Sequence, residues 1–146
     1  MTPSLACADL IKGFESCVLR AYLPTPDDVP TIGWGHTAGV KMGMTCTQAQ
    51  ADAWFASDLT AFGEGVSRVI GKSATLQREY DALTSFAYNM GLGALQQSTL
   101  LRLHKAGLKQ DAANQFPIWV HQGSLVLPGL VRRRLAERDM YLGVGA

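Results

Sequence analysis

The sequence has little of what marks secreted, membrane-spanning or disulfide-rich chains. It contains three cysteines in 146 residues and no Cys-x-x-Cys pair, which excludes a disulfide scaffold and predicts buried free thiols. No apolar run approaches the roughly 18 residues that a membrane span needs. The N-terminal stretch carries Asp9 and Lys12 where a secretory signal would be apolar. We therefore expect no membrane insertion and a chain that is held in the cytoplasm where it is made.

Charge of one sign is also scarce. Thirteen Lys and Arg residues against 12 Asp and Glu give a net charge of +1, which excludes a basic nucleic-acid arm or an acidic tail. Residues 101–146 carry seven basic and three acidic groups, so the C-terminal third is the more basic region. Its three consecutive arginines, Arg132, Arg133 and Arg134, would point about 100° apart on a helix and form no single stripe. We expect no nucleic-acid partner.

Motifs for metal, serine or phosphate chemistry are missing. His36, His104 and His121 are 68 and 17 residues apart, and no HxxxH or HxxEH pair occurs. There is no GxSxG motif and no P-loop. The sequence therefore predicts neither a bound metal nor a cofactor.

The hydrophobic periodicity predicts an α+β fold in one domain, residues 1–146. Ser4 caps a first helix of about 15 residues, and 21–23 and 29–35 form the strands of the only convincing hairpin. A capping box at Thr45 and Gln48 begins a helix that runs to about Val69 and ends at Gly71. Further helices are predicted over 76–90, from Ser98 to 107, over about 109–116, and from Pro128 to Leu142.

Glu15 is the one acid whose local setting is unusual. It lies near the predicted end of the first helix, where the partial negative charge of the helix end disfavours a carboxylate. Its apolar neighbours Phe14, Cys17 and Val18 add desolvation in the same direction. A glutamic acid that keeps its proton at neutral pH is what a general acid needs to protonate a glycosidic oxygen. A surface glutamate near a helix end is the plainer interpretation when this residue is considered alone.

The neighbourhood of Glu15 resembles the catalytic segment of phage-type lysozymes, glycoside hydrolase family 24. The residues that carry the resemblance are Phe14-Glu15, Leu19-Arg20-Ala21-Tyr22 and Thr31-Ile32-Gly33-Trp34-Gly35-His36-Thr37. Further matches are Ser85-Phe86-Ala87-Tyr88-Asn89-Met90-Gly91, Ser98-Thr99-Leu100-Leu101, Trp119 and Leu127-Pro128-Gly129-Leu130-Val131-Arg132-Arg133-Arg134 with Glu137. The resemblance implies a two-lobed fold: a hairpin lobe over about 15–45, a connecting helix over about 47–69 and a helical lobe over about 73–146.

The resemblance also implies catalytic roles. Such enzymes have a Glu, an Asp nine residues later and a Thr six residues after that, and here Glu15 and Thr31 match their motifs. The second acid has no direct match, because Pro24 stands nine residues after Glu15 and Thr25 six before Thr31. The lengthened turn holds two other candidates, Asp27 and Asp28. Asp27, Asp28 and Thr25 are therefore the three candidates for the place of the second acid.

Other roles follow from the same resemblance. Thr37, Tyr88, Asn89 and Thr99 are implied substrate contacts. His36 is expected to pair with Asp58 in a structural role, and Trp54 and Trp119 to pack in the core.

The implied activity is hydrolysis of the β-1,4 bond between N-acetylmuramic acid and N-acetylglucosamine in bacterial peptidoglycan, leading to host cell lysis. The chain would act as a monomer, stay in the host cytoplasm until lysis, and need a holin to reach the periplasmic wall. Two alternatives stay open: a lytic transglycosylase that cleaves the same bond without water, and a catalytically dead peptidoglycan-binding virion protein.

Overall fold

The computed structural model describes residues 1–145 and has seven α-helices and two small antiparallel hairpins in that range. The α-helices are α1 Leu5–Phe14, α2 Gln48–Ile70, α3 Gln77–Met90, α4 Leu92–Gln97, α5 Thr99–Lys105, α6 Lys109–Ala113 and α7 Pro128–Leu142. The strands are β1 Val18–Tyr22, β2 Thr31–Gly33, β3 His121–Gln122 and β4 Leu125–Val126. A 3-10 turn covers Phe116–Ile118. The α+β prediction is confirmed.

The hairpin lobe, residues 15–47, is built on β1 and β2. The strands pair antiparallel with an irregular register, Val18 opposite Gly33 and Tyr22 opposite Thr31. The prediction of a 15-residue first helix was wrong, because α1 ends at Phe14 and Glu15 is already extended, with ψ 131°. Residues from Val18 onward use their backbone groups in the sheet instead, and this pairing outweighs the apolar spacing that suggested more helix.

Helix α2 connects the two lobes and spans about 34 Å at 1.5 Å per residue. Its capping box is Thr47 with Gln50, whereas the sequence prediction placed it at Thr45 with Gln48. Thr45 is bridged to Arg20 in extended backbone, so it cannot begin the helix. The predicted stop at Gly71 is confirmed, since Gly71 caps α2.

The helical lobe, which consists of α1 and residues 71–145, has α3 at its centre. Nine consecutive residues of α3, Glu79–Ala87, are buried because α1, α2, α4 and α7 all pack around this helix. The main hydrophobic cluster forms on it, with Tyr80, Leu83 and Phe86 fully buried. The helical lobe therefore contains the main hydrophobic core of the molecule.

The part of the chain after α3 departs from the prediction in three places. Helix α4 was not predicted, and α6 ends at Ala113 before the 3-10 turn. The hairpin of β3 and β4 was also missed, although its Gly123-Ser124 turn is a recognised two-residue hairpin signal. Helix α7 begins at Pro128 and ends before Gly143, as predicted.

The cysteines and tryptophans follow the predictions in part. Cys7 is fully buried, and burial raises the pKa of its thiol to about 12. Cys17 and Cys46 are free but only half-buried. Trp54 and Trp119, predicted as core residues, are half-buried as well. Trp119 packs edge-on against Phe86 at a centroid distance of 5.3 Å.

Candidate active site

Glu15 lies at the point where the helical lobe passes into the hairpin lobe. It is the C-terminal cap of α1, and its backbone N–H donates to the carbonyl of Ile11 at 2.8 Å. Its side chain is 23% exposed, so it is sheltered but reachable. The end of a rigid helix thus sets the position of this carboxyl group.

Arg133 holds one oxygen of Glu15. Its Nη1 donates to Glu15 Oε1 at 2.9 Å, and its guanidinium lies 5.9 Å from the centre of the Phe14 ring. The arginine side chain is only 4% exposed. Sequence reasoning missed this cation, because 118 residues separate the two partners. The sequence-based prediction for Glu15 rested on the helix end and the apolar neighbours, and it did not include the positive charge of Arg133.

Gly35 lets the hairpin backbone approach the other oxygen. A Cβ atom at this position would lie 3.3 Å from Glu15 Oε2, and the glycine has φ +90°, which other residues rarely adopt. Glu15 Oε2 makes no hydrogen bond to any of residues 1–145. The carboxyl group therefore presents one paired and one unpaired oxygen.

A cleft of about 490 Å³ opens in front of Glu15, between the lobes. Of the predicted catalytic and substrate-binding residues, those that line it are Glu15, Asp28, Thr31, Thr37, Tyr88 and Asn89. Asp58 and Phe62 of α2 also line it. Asp27 and Thr99 do not, and Thr99 lies exposed at the start of α5.

A second cavity of about 590 Å³ lies on the other side of Glu15. It shares Glu15 and Asn89 with the first and continues along the start of α7, past Pro128 and Arg132. The two cavities meet at Glu15 and Asn89, so the acid borders both. A linear polymer that occupied both cavities as one groove would have one of its bonds next to Glu15.

The lengthened turn brings one of its two acids to the cleft. Asp28 lines it, and Asp28 Oδ2 accepts a hydrogen bond from Thr25 Oγ1 at 3.2 Å. The backbone N–H of Asp28 also donates to the Thr25 carbonyl at 3.0 Å. Thr31 is 6% exposed, and its hydroxyl donates to the Val29 carbonyl at 3.0 Å. The turn therefore holds Asp28 at the cleft, whereas Asp27 is not part of the cleft lining.

Two polar groups on the helical wall are held by cross-links. The Tyr88 hydroxyl donates to the Trp34 carbonyl at 2.6 Å, which ties α3 to the hairpin lobe. Burial is the main cause that raises the pKa of Tyr88, and the nearby carboxylates of Asp58 and Glu15 add to it. Asn89 Oδ1 accepts from Arg134 Nη2 at 2.8 Å, so its amide nitrogen is the group left for a ligand.

The predicted pair of His36 and Asp58 is confirmed. His36 Nδ1 lies 2.7 Å from Asp58 Oδ2, and the side chains are 12% and 24% exposed. The imidazole also stacks on Trp54, with centroids 4.7 Å apart and planes 7° from parallel. This contact joins the loop after β2 to the connecting helix.

Residues 1–145 contain neither a metal-binding cluster of side chains nor a helix able to span a membrane. No group of three or more His, Cys, Asp or Glu side chains there is arranged to hold a metal ion. None of the helices in that range combines the length and the apolar character that crossing a bilayer requires.

Comparison with known proteins identifies relatives over nearly the whole chain. The family model described as Phage lysozyme matches residues 12–137. An endolysin of Bacillus phage B103 is 41% identical over 144 residues, 97% of this chain and 54% of its own length. The solved structure of an endolysin from Escherichia coli phage FAHEc1 is 39% identical, with a TM-score of 0.84 and coverage of 97% of this chain and 94% of its own. The muramidase domain of SpmX from Asticaccaulis excentricus is 35% identical, with a TM-score of 0.85 and coverage of 95% and 96%.

The chain spans about half the length of the first curated relatives it matches, which are phage endolysins. More distant relatives include a protein named SAR-endolysin from Enterobacteria phage PA-2, 33% identical over 84% of this chain and 75% of its own length. The relatives therefore differ in overall length.

Proposed function

Because the chain belongs to the phage lysozyme family, we propose that it hydrolyses the β-1,4 bond between N-acetylmuramic acid and N-acetylglucosamine in bacterial peptidoglycan. In this proposal the glycan strand lies along the groove formed by the two cavities. The product is a shortened glycan chain, and the consequence for the host is lysis. The names of the relatives, endolysin and muramidase, support this activity.

The observation that carries the proposal is the position of Glu15 between the two cavities, with Oε2 free. A general acid must lie within hydrogen-bond reach of the oxygen it protonates. Glu15 meets this requirement for a glycosidic oxygen in the groove, since its side chain borders both cavities. We assign it as the proton donor.

Thr31 and Asp28 are proposed to act at the other face of the sugar. Both line the cleft on the hairpin side, while Glu15 enters from the end of α1. A hydroxyl and a carboxylate there can orient a water molecule and stabilise the positive charge that develops on the sugar ring. Asp28 is preferred over Asp27 because only Asp28 lines the cleft.

Substrate binding is proposed for Thr37, Tyr88 and Asn89. Thr37 is exposed at the cleft wall, and Asn89 borders both cavities. The Asn89 amide nitrogen can donate to a sugar oxygen while its oxygen stays on Arg134. Thr99 is retained only as a weaker candidate, because it lies outside the cleft lining.

The decisive experiment compares the wild-type chain with Glu15→Gln in a turbidity assay on a suspension of bacterial walls. General acid catalysis contributes roughly 10²–10⁴-fold, so we expect clearing to slow by that factor in a variant that keeps its fold. Glu64→Gln is the matched control, since Glu64 is an exposed glutamate of α2 outside the cleft. A Glu15→Gln variant as fast as the control would contradict the assignment.

Mass spectrometry of the digest separates hydrolysis from transglycosylation. A hydrolase leaves a reducing muramic end, whereas a lytic transglycosylase leaves an anhydromuramic end that is lighter by one water. The second possibility has its basis in the turn, where Pro24 and Thr25 stand at the spacings of the missing acid. A chain that binds walls without clearing them would instead be a binding module.

Location and partners complete the proposal. We expect a monomer that waits in the host cytoplasm and reaches the wall through a membrane lesion made by a holin. Expression in a host with and without a co-expressed holin tests this, with fractionation to locate the protein. Lysis without a holin would contradict the proposal. The experiment needs the arm without a holin because one relative is named SAR-endolysin.

A further inference from the structure

Behind the Glu15–Arg133 pair lies a second glutamate that the proposed mechanism does not use. Glu137 of α7 is fully buried, and its carboxylate contacts two arginines: Oε2 lies 3.3 Å from Arg133 Nε, and Oε1 lies 2.7 Å from Arg134 Nε. The Ser85 hydroxyl donates to Oε2 at 2.5 Å. Burying a charge is costly even when it is paired, so this arrangement calls for a role beyond filling space.

The guanidinium of Arg133 is the link between this buried acid and the cleft. Its Nη1 donates to Glu15 Oε1 at 2.9 Å, its Nε donates to Glu137 Oε2 at 3.3 Å, and its Nη2 donates to the Ser85 carbonyl at 3.2 Å. The planar fork of an arginine fixes these directions relative to each other. One cation therefore serves two carboxylates, one facing the cleft and one in the core.

We propose that Glu137 is a positioning residue for the proton donor: it fixes Arg133 and takes up part of its positive charge, so that Glu15 can carry a proton. The proposal rests on the assignment of Glu15 as general acid. If Arg133 paired with no other acid, its guanidinium would favour the ionised form of Glu15. That form has no proton to give. A second carboxylate on the same guanidinium weakens that effect.

The surroundings of Glu15 contain other titratable and charged groups. Besides Arg133, the titratable and charged side chains that face it are Tyr22 and Asp28 from the hairpin lobe, Asp58 from α2, Tyr88 from α3 and Arg132 from α7. Arg133 is the one cation among residues 1–145 that donates a hydrogen bond to Glu15. Burial raises the pKa of Glu137, and the two guanidiniums oppose that rise.

The test measures the charge state of Glu15 in two independent ways. The first is the pH profile of kcat/KM, whose basic limb reports the essential acid of the free enzyme. The second is ¹³C NMR titration of the glutamate carboxyl groups, in which the Glu15 signal is the one lost in Glu15→Gln. The NMR measurement needs no activity, so it separates a failure of this proposal from a failure of the proposed function.

Glu137→Gln removes the charge and keeps the shape. We expect the basic limb and the Glu15 titration midpoint to move together to lower pH, by on the order of 1 pH unit, because Arg133 then neutralises Glu15 alone. Arg133→Gln should move both to higher pH. Asp139→Asn is the matched control: it removes one negative charge from the same helix at a side chain that is 48% exposed, and it should move neither. An unchanged profile in Glu137→Gln, or a shift to higher pH, would overturn the proposal.

Arg134→Met covers the case in which Glu137→Gln does not fold. This substitution replaces a buried cation by an uncharged side chain of similar volume. Arg133 is then the one arginine paired with Glu137. Glu137 then draws more of the Arg133 charge, so we expect both readouts to move to higher pH. If neither moves in this folded variant, Glu137 has only a structural role and the proposal is wrong.

Discussion

The hairpin lobe and the helical lobe differ sharply in how much of their chain they bury. Between residues 15 and 47 only Ala21, Thr31, Ile32 and Gly33 are buried, whereas α3 alone has nine consecutive buried residues. Glu15 is held by the helical lobe, through α1 and Arg133, whereas Asp28 is held by the hairpin lobe, through a turn. The molecule thus fixes Glu15 in its more buried lobe and places Asp28 on the less buried one.

The largest effect should come from the core of the helical lobe. Phe86 is fully buried between Phe116 and Trp119, so Phe86→Ala should lower the free energy of unfolding by about 3–5 kcal/mol. Val29→Ala, at a 57% exposed position of the hairpin lobe, should change it by no more than about 0.5 kcal/mol. Urea denaturation measures both. Equal losses would show that the lobes do not differ in this way.

The helical lobe should also weaken in mild acid, because of His104. This fully buried imidazole lies 2.8 Å from Thr75 Oγ1 and 2.6 Å from the Tyr141 hydroxyl. Burial is the main cause that lowers its pKa to about 4, and Lys109 adds to it. The unfolded chain takes up this proton first, so stability is complete above pH ~6.5 and falls as the pH drops toward 4.

Unfolding measured between pH 7 and 4 checks this, with each unit of pKa difference worth about 1.4 kcal/mol. His104→Gln should flatten that part of the stability curve. A curve with the same slope in the variant would assign the acid sensitivity to other groups.

A smaller loss is expected at the contact that joins the hairpin lobe to α2. A charge-assisted hydrogen bond contributes about 1.5–3 kcal/mol, so His36→Asn should lower the melting temperature and leave turnover near normal. A double-mutant cycle with Asp58→Asn isolates the pair. An unchanged melting temperature with lost turnover would make His36 a catalytic residue.

The smallest effects should separate the two acids of the turn. Asp28→Asn should reduce wall clearing about 10-fold, less than the roughly 10²–10⁴-fold of Glu15→Gln, because Thr31 and solvent replace part of its role. Asp27→Asn should be nearly silent, since Asp27 lies outside the cleft lining. If both variants and the double variant keep full activity, Thr25 becomes the candidate for the place of the second acid.

Local signals in the sequence predicted much of the fold. Ser98, Pro128 and Gly143 mark helix ends as expected, because capping depends on single residues and their immediate neighbours. The end of α1 was misplaced because apolar spacing continues past Phe14, and only the partner strand decides where helix gives way to sheet. Thr45 and Thr47 compete for one cap, and the bridge from Thr45 to Arg20 decides between them.

The candidate site was predictable where a motif carries it and not where distant charges meet. The cleft contains Glu15, Thr31, Tyr88 and Asn89, which the resemblance had identified. Glu15 and Arg133 are 118 residues apart, so no local sequence pattern predicts their ion pair. The one available signal was the four-residue spacing of Arg133 and Glu137, which predicts an ion pair along a helix.

The docking of α1 also affects how the chain folds during synthesis. Ser4 is hydrogen-bonded to Asp81, 77 residues later, and Gln77 Nε2 donates to the Thr2 carbonyl at 2.9 Å. At ribosomal rates of 5–20 residues per second, α1 emerges roughly 4–15 s before these partners exist. Until α3 is made, the first helix lacks these two hydrogen bonds, and its Cys7 and Ile11 can pack only against Phe55 and Leu59 of α2. Contacts this distant in sequence slow folding, so chaperone protection of the nascent chain is expected to matter most over this interval.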